Sequence, residues 1–172
     1  MRTGYIRKMA GTQQDINIRS AGPGDLDEIN RVIEAAVMTW PLPDRVKRLS
    51  LPSYRYNTVD LDHLEAIVAE DNQQTIIGIA AWEPADTRDA PAGCQALLLH
   101  GIYVDPLYGY HGIGSRLLAY ADEAAQSHGY DGLLVKAQEY ANGFFISQGM
   151  EKLEVEDPAR HYANRFWKQC RK

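Results

Sequence analysis

Cysteine is nearly missing from this chain. Cys94 and Cys170 are the only two among 172 residues, and so sparse a pair gives neither metal-ligand spacing nor a disulfide framework. They read as reduced thiols of a cytoplasmic protein, and neither stands in a local context that would activate a nucleophile. Long apolar runs are missing too. Ala96-Leu97-Leu98-Leu99 is interrupted by His100, far short of the roughly 20 residues that cross a bilayer, so no membrane span is expected. An excess of positive charge is also lacking: 18 Lys and Arg stand against 23 Asp and Glu, for a net charge of −5. That balance argues against a broad nucleic-acid footprint, which needs clustered cations. The amino terminus lacks the apolar stretch of a secretion signal, and residues 1–14 read as a loose extension. No repeat or low-complexity segment interrupts the remainder, which has the composition of one globular domain over residues 15–172.

Apolar periodicity divides that domain into elements. Ile16-Asn17-Ile18-Arg19 alternates like a strand, and Ser20 to Asp25 supplies turn residues and a cap. Leu26, Ile29, Val32, Ile33, Ala36 and Val37 then recur at helical spacing up to Trp40-Pro41. A short basic helix is predicted over residues 44–49. Residues 64–69 and 75–82 read as antiparallel strands around a polar turn, and residues 83–93 as a loop. Gln95 to Val104 is expected to be a central strand stopped by Asp105-Pro106. Ile113, Leu117, Leu118, Ala121, Ala124 and Ala125 trace a helix closed by His128-Gly129. A buried strand at residues 133–135 and a helix over residues 139–148 follow, then a closing pair of strands at residues 152–155 and 162–168. The order is mixed α/β, antiparallel first and strand-helix-strand later.

The chemically informative stretch runs from Ile102 to Leu118. A strand passes through Gly109, Tyr110, His111, Gly112, Ile113, Gly114 and Ser115 directly into a helix, which aims several backbone N–H groups and the positive end of the helix dipole at one point. That arrangement suits a phosphate. Gly-x-x-Gly-x-Gly reverses the order of the dinucleotide fingerprint, and no Lys-Ser/Thr follows as in a nucleotide P-loop. A strand-to-helix turn that needs glycine for geometry alone is the competing reading.

These residues resemble the GNAT superfamily of acetyl-coenzyme A-dependent N-acetyltransferases. Gly112 and Gly114 match the glycines of its Gln/Arg-x-x-Gly-x-Gly/Ala loop, Val104-Asp105-Pro106 matches the approach to it, and Gly109 departs from it at the Gln/Arg position. Residues 141–150, Ala-Asn-Gly-Phe-Phe-Ile-Ser-Gln-Gly-Met, are similar to its Ala-x-x-Phe-Tyr-x-x-x-Gly-Phe. An Ile-x-Ile-Arg-x-Ala opening at residues 16–21 completes the likeness, which covers about residues 15–168.

The resemblance implies a central mixed sheet of six to seven strands, antiparallel in its first half, with a splayed parallel pair at the cofactor site and about four flanking helices. It implies acetyl-coenzyme A as co-substrate, its pyrophosphate at the glycine loop and its pantetheine arm paired with Ile102, Tyr103 and Val104. Gly101 either marks a bulge that begins the splay or admits a neighbouring side chain.

Direct transfer needs a deprotonated amine, a polarised carbonyl and a stabilised thiolate. His100, placed by simple alternation on the face of Ile102 and Val104, is the candidate base, histidine being the side chain whose charge changes nearest neutrality. A packed core histidine is its alternative. Glu65 and Glu139 are lesser candidates. The family's proton-donating tyrosine falls on Phe145, Tyr140 points elsewhere if residues 139–148 form a regular helix, and Gln138 takes the place of a cofactor-contacting Asn. Trp40, Arg45, Lys47, Arg48, Tyr54, Arg55 and Tyr56 occupy the segment that shapes the acceptor pocket in this family, and a mixed cationic and aromatic lining suits a carboxylate or a ring beside the amine. The expected partner is a small-molecule or peptide amine, with no metal, and a homodimer is a possible assembly because small mixed sheets expose strand edges. The rival reading is a sensor that binds the cofactor without turnover, for which Phe145 and Gly109 are the arguments.

Overall fold

The computed structural model describes residues 15–171, so the expected extension over residues 1–14 lies outside the described residues. Seven strands form one sheet: β1 (Asn17–Ser20), β2 (Glu65–Glu70), β3 (Ile76–Pro84), β4 (Ala96–Val104), β5 (Gly132–Lys136), β6 (Glu151–Lys152) and β7 (Arg165–Gln169). Their spatial order is β1-β2-β3-β4-β5-β7-β6. Only β4 and β5 run parallel; every other pair is antiparallel. Hydrophobic periodicity decides which helices cover which face. Helix α1 (Leu26–Met38) buries Ile29, Val32, Ile33, Ala36 and Val37, the stripe visible in its sequence, in a core with Val68, Ile76 and Ile79. Helix α4 (Ile113–Ser127) buries Ile113, Leu117, Leu118, Ala121 and Ala125 in the larger core of Ile77, Leu97, Leu99, Leu133 and Phe166. Among the described residues no helix is long and apolar enough to cross a membrane.

Three short helices complete the set: α2 (Asp44–Ser50), α3 (Thr58–His63) and α5 (Asn142–Ser147). Helix α3 is absent from the sequence expectation. Too short for a periodic stripe, it is set by a reciprocal cap in which Asn57 Oδ1 accepts from the amides of Val59 and Asp60 while Asp60 Oδ2 accepts from the Asn57 amide. The single helix expected over residues 139–148 is instead a 3₁₀ turn, Glu139–Ala141, followed by α5. The closing strands are also shorter than expected. β6 spans two residues at the sheet edge, with the Leu153 amide still bonding to the Arg165 carbonyl at 2.9 Å, and β7 begins only at Arg165.

Where β5 crosses β7, Gly132 leaves no room for a side chain: a Cβ there would overlap the Trp167 ring and stand 2.6 Å from the Lys168 carbonyl oxygen. Overpacking of this kind costs about 1–3 kcal/mol, and a kilocalorie shifts the melting of a chain this long by about 2–4 °C. Gly132→Ala is therefore expected to lower the melting temperature by about 5–10 °C in calorimetry; an unchanged transition would show that Trp167 yields freely.

Two polar anchors fix the loop after β4. Arg31 on α1 donates to Asp105 Oδ2 at 2.7 Å and to the Ile76 carbonyl at 2.7 Å, while Asp105 Oδ1 accepts from the Leu107 amide at 3.0 Å. Asp105 is buried, so its charge needs this partner. Further on, Tyr108 donates to Asp71 Oδ2 at 3.0 Å in the β2–β3 turn. The Thr75 amide, with help from that hydroxyl and the Gln73 amide, holds the Asp71 carboxyl below the ordinary carboxylate range.

Candidate active site

Antiparallel pairing of β3 with β4 slips by one residue. Ala81 opposes Gly101 and Trp82 opposes Leu99, which leaves His100 without a partner. A bulge of this kind resets the alternation of faces. Leu97 and Leu99 join the core under α4, and so do Ile102 and Val104, whereas Tyr103 packs with the α1 core. His100 therefore does not share a face with Ile102 and Val104, and the expectation from simple alternation is corrected: the extra residue places it on the side of Tyr56 and Tyr103. Its Nδ1 stands 3.5 Å from the Tyr56 hydroxyl and its Nε2 3.9 Å from Glu83 Oε1.

Both readings of Gly101 hold at once. It adjoins the bulge, and a Cβ there would stand 2.6 Å from the Tyr103 ring and 2.9 Å from the Tyr56 hydroxyl, so the glycine admits both side chains. Burial pushes both hydroxyls well above the ordinary phenol range, and at Tyr56 the nearby Tyr103, Asp60 and Glu83 add to the effect.

Parallel pairing of β4 with β5 ends at Leu99 and Val135. Past that point β4 keeps only β3 as a neighbour, and β5 bonds only to β7 as far as Lys136 and Arg165. The opening between the two strands is a cavity of about 290 Å³. Its floor is β4 from Leu99 to Tyr103, and its far wall is β5 and the chain after it, from Val135 to Gln138. Tyr140 and Phe145 close one end, and Trp40, Tyr54 and Tyr56, from the segment between α1 and α3, form the roof. Gln138 Nε2 donates to the Tyr54 hydroxyl at 3.2 Å.

The glycine loop stands at the other end of the free β4 edge. Gly112 caps α4 in the left-handed region, with φ 74° and nothing within 4 Å of a Cβ position, so backbone conformation rather than space calls for glycine there. Arg116 N bonds back to Gly112 O at 3.0 Å. The amides of Ile113, Gly114 and Ser115 belong to the first turn of a helix and have no acceptor within it. Tyr110, fully exposed, also has a positive φ of 62°. Gly109 has φ −58°, an ordinary conformation. Gly114 has a different use, since a Cβ there would press on the Phe144 ring at 3.3 Å. Phe144 thus abuts the loop while its neighbour Phe145 lines the cavity, and α5 spans the two.

The structure gathers the candidate cofactor residues in two places joined by Val104: Ile102, Tyr103, Gln138 and Phe145 at the cavity, and Gly109 to Ser115 at the loop. Only the backbone of Ile113 is available, because its side chain is core. Phe145 is nearly all core as well, its ring 5.7 Å from that of Phe166. The lesser candidate Glu65 lies away from the cavity, accepting from the Trp82 indole at 3.1 Å, and Glu139 is exposed and does not line it. Tyr140 does line it, contrary to its expected direction, because it sits on the 3₁₀ turn and not on a regular helix.

Sequence reasoning missed Glu83, which falls in the expected loop after β3. Its position beside His100 depends on the bulged register across an eleven-residue connection, residues 85–95, and no local sequence signal sets that register.

Solved structures with this architecture are numerous in one family. A GNAT family acetyltransferase of Staphylococcus aureus Mu50 superposes with a TM-score of 0.66 at 17% identity, covering 91% of this chain and 100% of that one. One from Brucella melitensis, solved with acetyl-CoA, gives 0.62 at 19% identity over 92% and 90% of the two chains. The PaiA N-acetyltransferase of Thermoplasma acidophilum, solved with coenzyme A, gives 0.71 at 15% identity over 90% and 99%. At these identities the likeness speaks to the fold. No curated protein sequence matches the chain. The family model of the GNAT acetyltransferase domain matches residues 62–152, a stretch that runs from the end of α3 to β6 and includes the bulge, the splayed strands and the glycine loop. With more than half of its length matched, the chain belongs to the GNAT acetyltransferase family.

Proposed function

We propose that this protein transfers the acetyl group of acetyl-coenzyme A directly to a primary amine of a small molecule or peptide. One observation carries the reading: β4 parts from β5 at the bulge, so a free strand edge, a cavity and an imidazole coincide, with a helix amino terminus at the other end of the same edge. The free edge at Ile102 to Val104 has the donors and acceptors to pair with the amide groups of a pantetheine arm. Amides at the start of α4 suit a pyrophosphate, and Tyr110 and His111 form the rim of that site.

In the reaction the amine nitrogen attacks the thioester carbonyl. The C–N bond forms and the C–S bond breaks, giving an acetamide and the coenzyme A thiolate. His100 takes the proton that the ammonium must lose before its nitrogen can attack, and Glu83 Oε1 stands 3.9 Å from the His100 Nε2. The backbone N–H near Val104 is the candidate to polarise the carbonyl. Phe145 has no proton to give. A thiol with the ordinary cysteine pKa of about 8.5 is a tolerable leaving group, and Tyr140, its proton held by burial, is the hydroxyl this segment brings to the cavity.

Release of free coenzyme A thiol, followed with a thiol reagent over a panel of primary amines, tests the reading. Release that depends on both acetyl-coenzyme A and an amine is expected. Tight cofactor binding without release across the whole panel would leave a binding module in place of an enzyme.

A further inference from the structure

The segment between α1 and α3 is rich in both rings and cations, and the fold separates them. Trp40, Tyr54 and Tyr56 line the cavity. The cations do not. Lys47 Nζ donates to the Met38 carbonyl at 2.8 Å and pairs with Asp44 at 2.9 Å. Arg55 pairs with Glu34, and Arg45 and Arg48 are exposed on α2, away from the lining. Lys136 does reach the lining, with its Nζ 2.6 Å from Asp89. The sequence expectation of a mixed cationic and aromatic lining is therefore corrected: the rings remain, and no cation of the segment is left to meet a carboxylate.

The rings also form a particular surface. Trp40 meets Tyr54 edge to face, with centroids 4.9 Å apart and planes at 83°, and meets Tyr140 at 5.1 Å and 47°. At those separations Trp40 touches both tyrosine rings and joins them into one wall. A cage for a cation instead sets ring faces around a gap that the cation fills. Burial holds the Tyr54 and Tyr140 hydroxyls above the ordinary phenol range, so neither supplies a phenolate to balance a positive charge. Among the described residues no carboxylate lines the cavity. His100, the proposed base, belongs to the same lining.

Resting on the acetyltransferase reading above, we propose that the acceptor is an arylalkyl primary amine, its ring against Trp40, Tyr54 and Tyr140, its amine at His100, and its remainder free of carboxylate or second ammonium. A ring gains from stacking and burial against this wall. Lys136, the cation at the lining, is engaged with Asp89, so a second charge of either sign enters the same space without a free counter-charge and bears its desolvation cost unrelieved.

Three probes differ by the features at issue: phenethylamine, phenylalanine, which adds a carboxylate, and 1,4-diaminobutane, which replaces the ring by a second ammonium. At saturating acetyl-coenzyme A the full-length protein is expected to give phenethylamine a kcat/KM at least about 100-fold above either of the others, an unrelieved buried charge being worth that factor or more. Trp40→Ala should raise the phenethylamine KM by about 10-fold with a smaller change in kcat, because it removes ring contacts made in ground state and transition state alike. The preference in the parent protein is read without any variant, so a Trp40→Ala protein that failed to fold would not remove the test. If phenylalanine or 1,4-diaminobutane matches phenethylamine while coenzyme A is still released, this proposal is overturned and the transferase reading stands. Release from no amine at all overturns both.

Discussion

Replacing His100 by alanine is expected to lower kcat/KM for amine acetylation by at least about 100-fold, the smaller end of what general-base assistance supplies. The size follows from the substrate. An alkylamine with a lysine-like pKa of about 10.4 is almost wholly ammonium at neutral pH, and the ammonium nitrogen has no lone pair to attack with. Something in the cavity must take that proton. Among the described residues that line it, the hydroxyls of Tyr54, Tyr56, Tyr103 and Tyr140 are all held protonated by burial, Lys136 is engaged with Asp89, and none is a carboxylate. His100 is the base that remains. A general base works in its unprotonated form, so the parent rate should fall on the acid side of its pH profile. In His100→Ala that acidic limb should vanish along with the rate. His100→Gln, similar in reach but unable to titrate, should behave as the alanine variant does. A loss of tenfold or less with an unchanged pH profile would return His100 to a packing role against Tyr56.

The second large effect is expected at Gly112, where valine should abolish measurable binding of acetyl-coenzyme A in calorimetry. Gly112 adopts φ 74°, which costs an ordinary L residue about 1–2 kcal/mol and a β-branched one more. The chain will relax by rotating out of that conformation, and the amides of Ile113, Gly114 and Ser115 then no longer converge. Hydrogen bonds to a charged partner are worth about 1.5–3 kcal/mol each; losing two weakens binding by about 100- to 10,000-fold. The site should fail locally, since no atom lies within 4 Å of a Cβ at Gly112 and α4 is held through its buried stripe, so the circular dichroism spectrum should stay native. Gly112→Asn separates the two ways a side chain can interfere, because asparagine tolerates the left-handed region. Near-parental binding in the asparagine variant with loss in the valine variant identifies backbone conformation as the cause. Equal loss in both identifies obstruction by the side chain itself. Parental binding by Gly112→Val would place the pyrophosphate elsewhere.

Much of the architecture is legible in the chain because it is written in repeating local terms. Helix α1 and helix α4 each carry their buried stripe at three- and four-residue spacing, and the structure buries that stripe. The Val104-Asp105-Pro106 stop and the following glycines are equally local: proline ends the strand, and glycine permits the turn into α4. Elements without a period were not legible. Helix α3, six residues long, depends on the Asn57–Asp60 cap. The residues after Lys152 alternate like a strand but lie at the sheet's edge, where the ladder with β7 stops and only single bonds from Leu153 and to the Glu154 carbonyl remain.

At the site the division is sharper. Residue type and spacing alone reveal that a strand runs through a glycine turn into a helix, that His100 lies on that strand, and that rings and cations crowd residues 40–56. Packing of the whole sheet sets the bulge that leaves His100 unpaired opposite β3, which turns it toward Tyr56 and brings Glu83 beside it. Only the tertiary structure decided that the cations of residues 40–56 pair elsewhere while the rings enter the cavity, and that Tyr140 joins them from a 3₁₀ turn. The physical reason is common to all of these. Periodicity fixes which side of an element is apolar, whereas a register slip between strands joined by a long loop, or the choice of a partner 20 or 80 residues away, is set by the packing of the whole sheet and is encoded in no single stretch of chain.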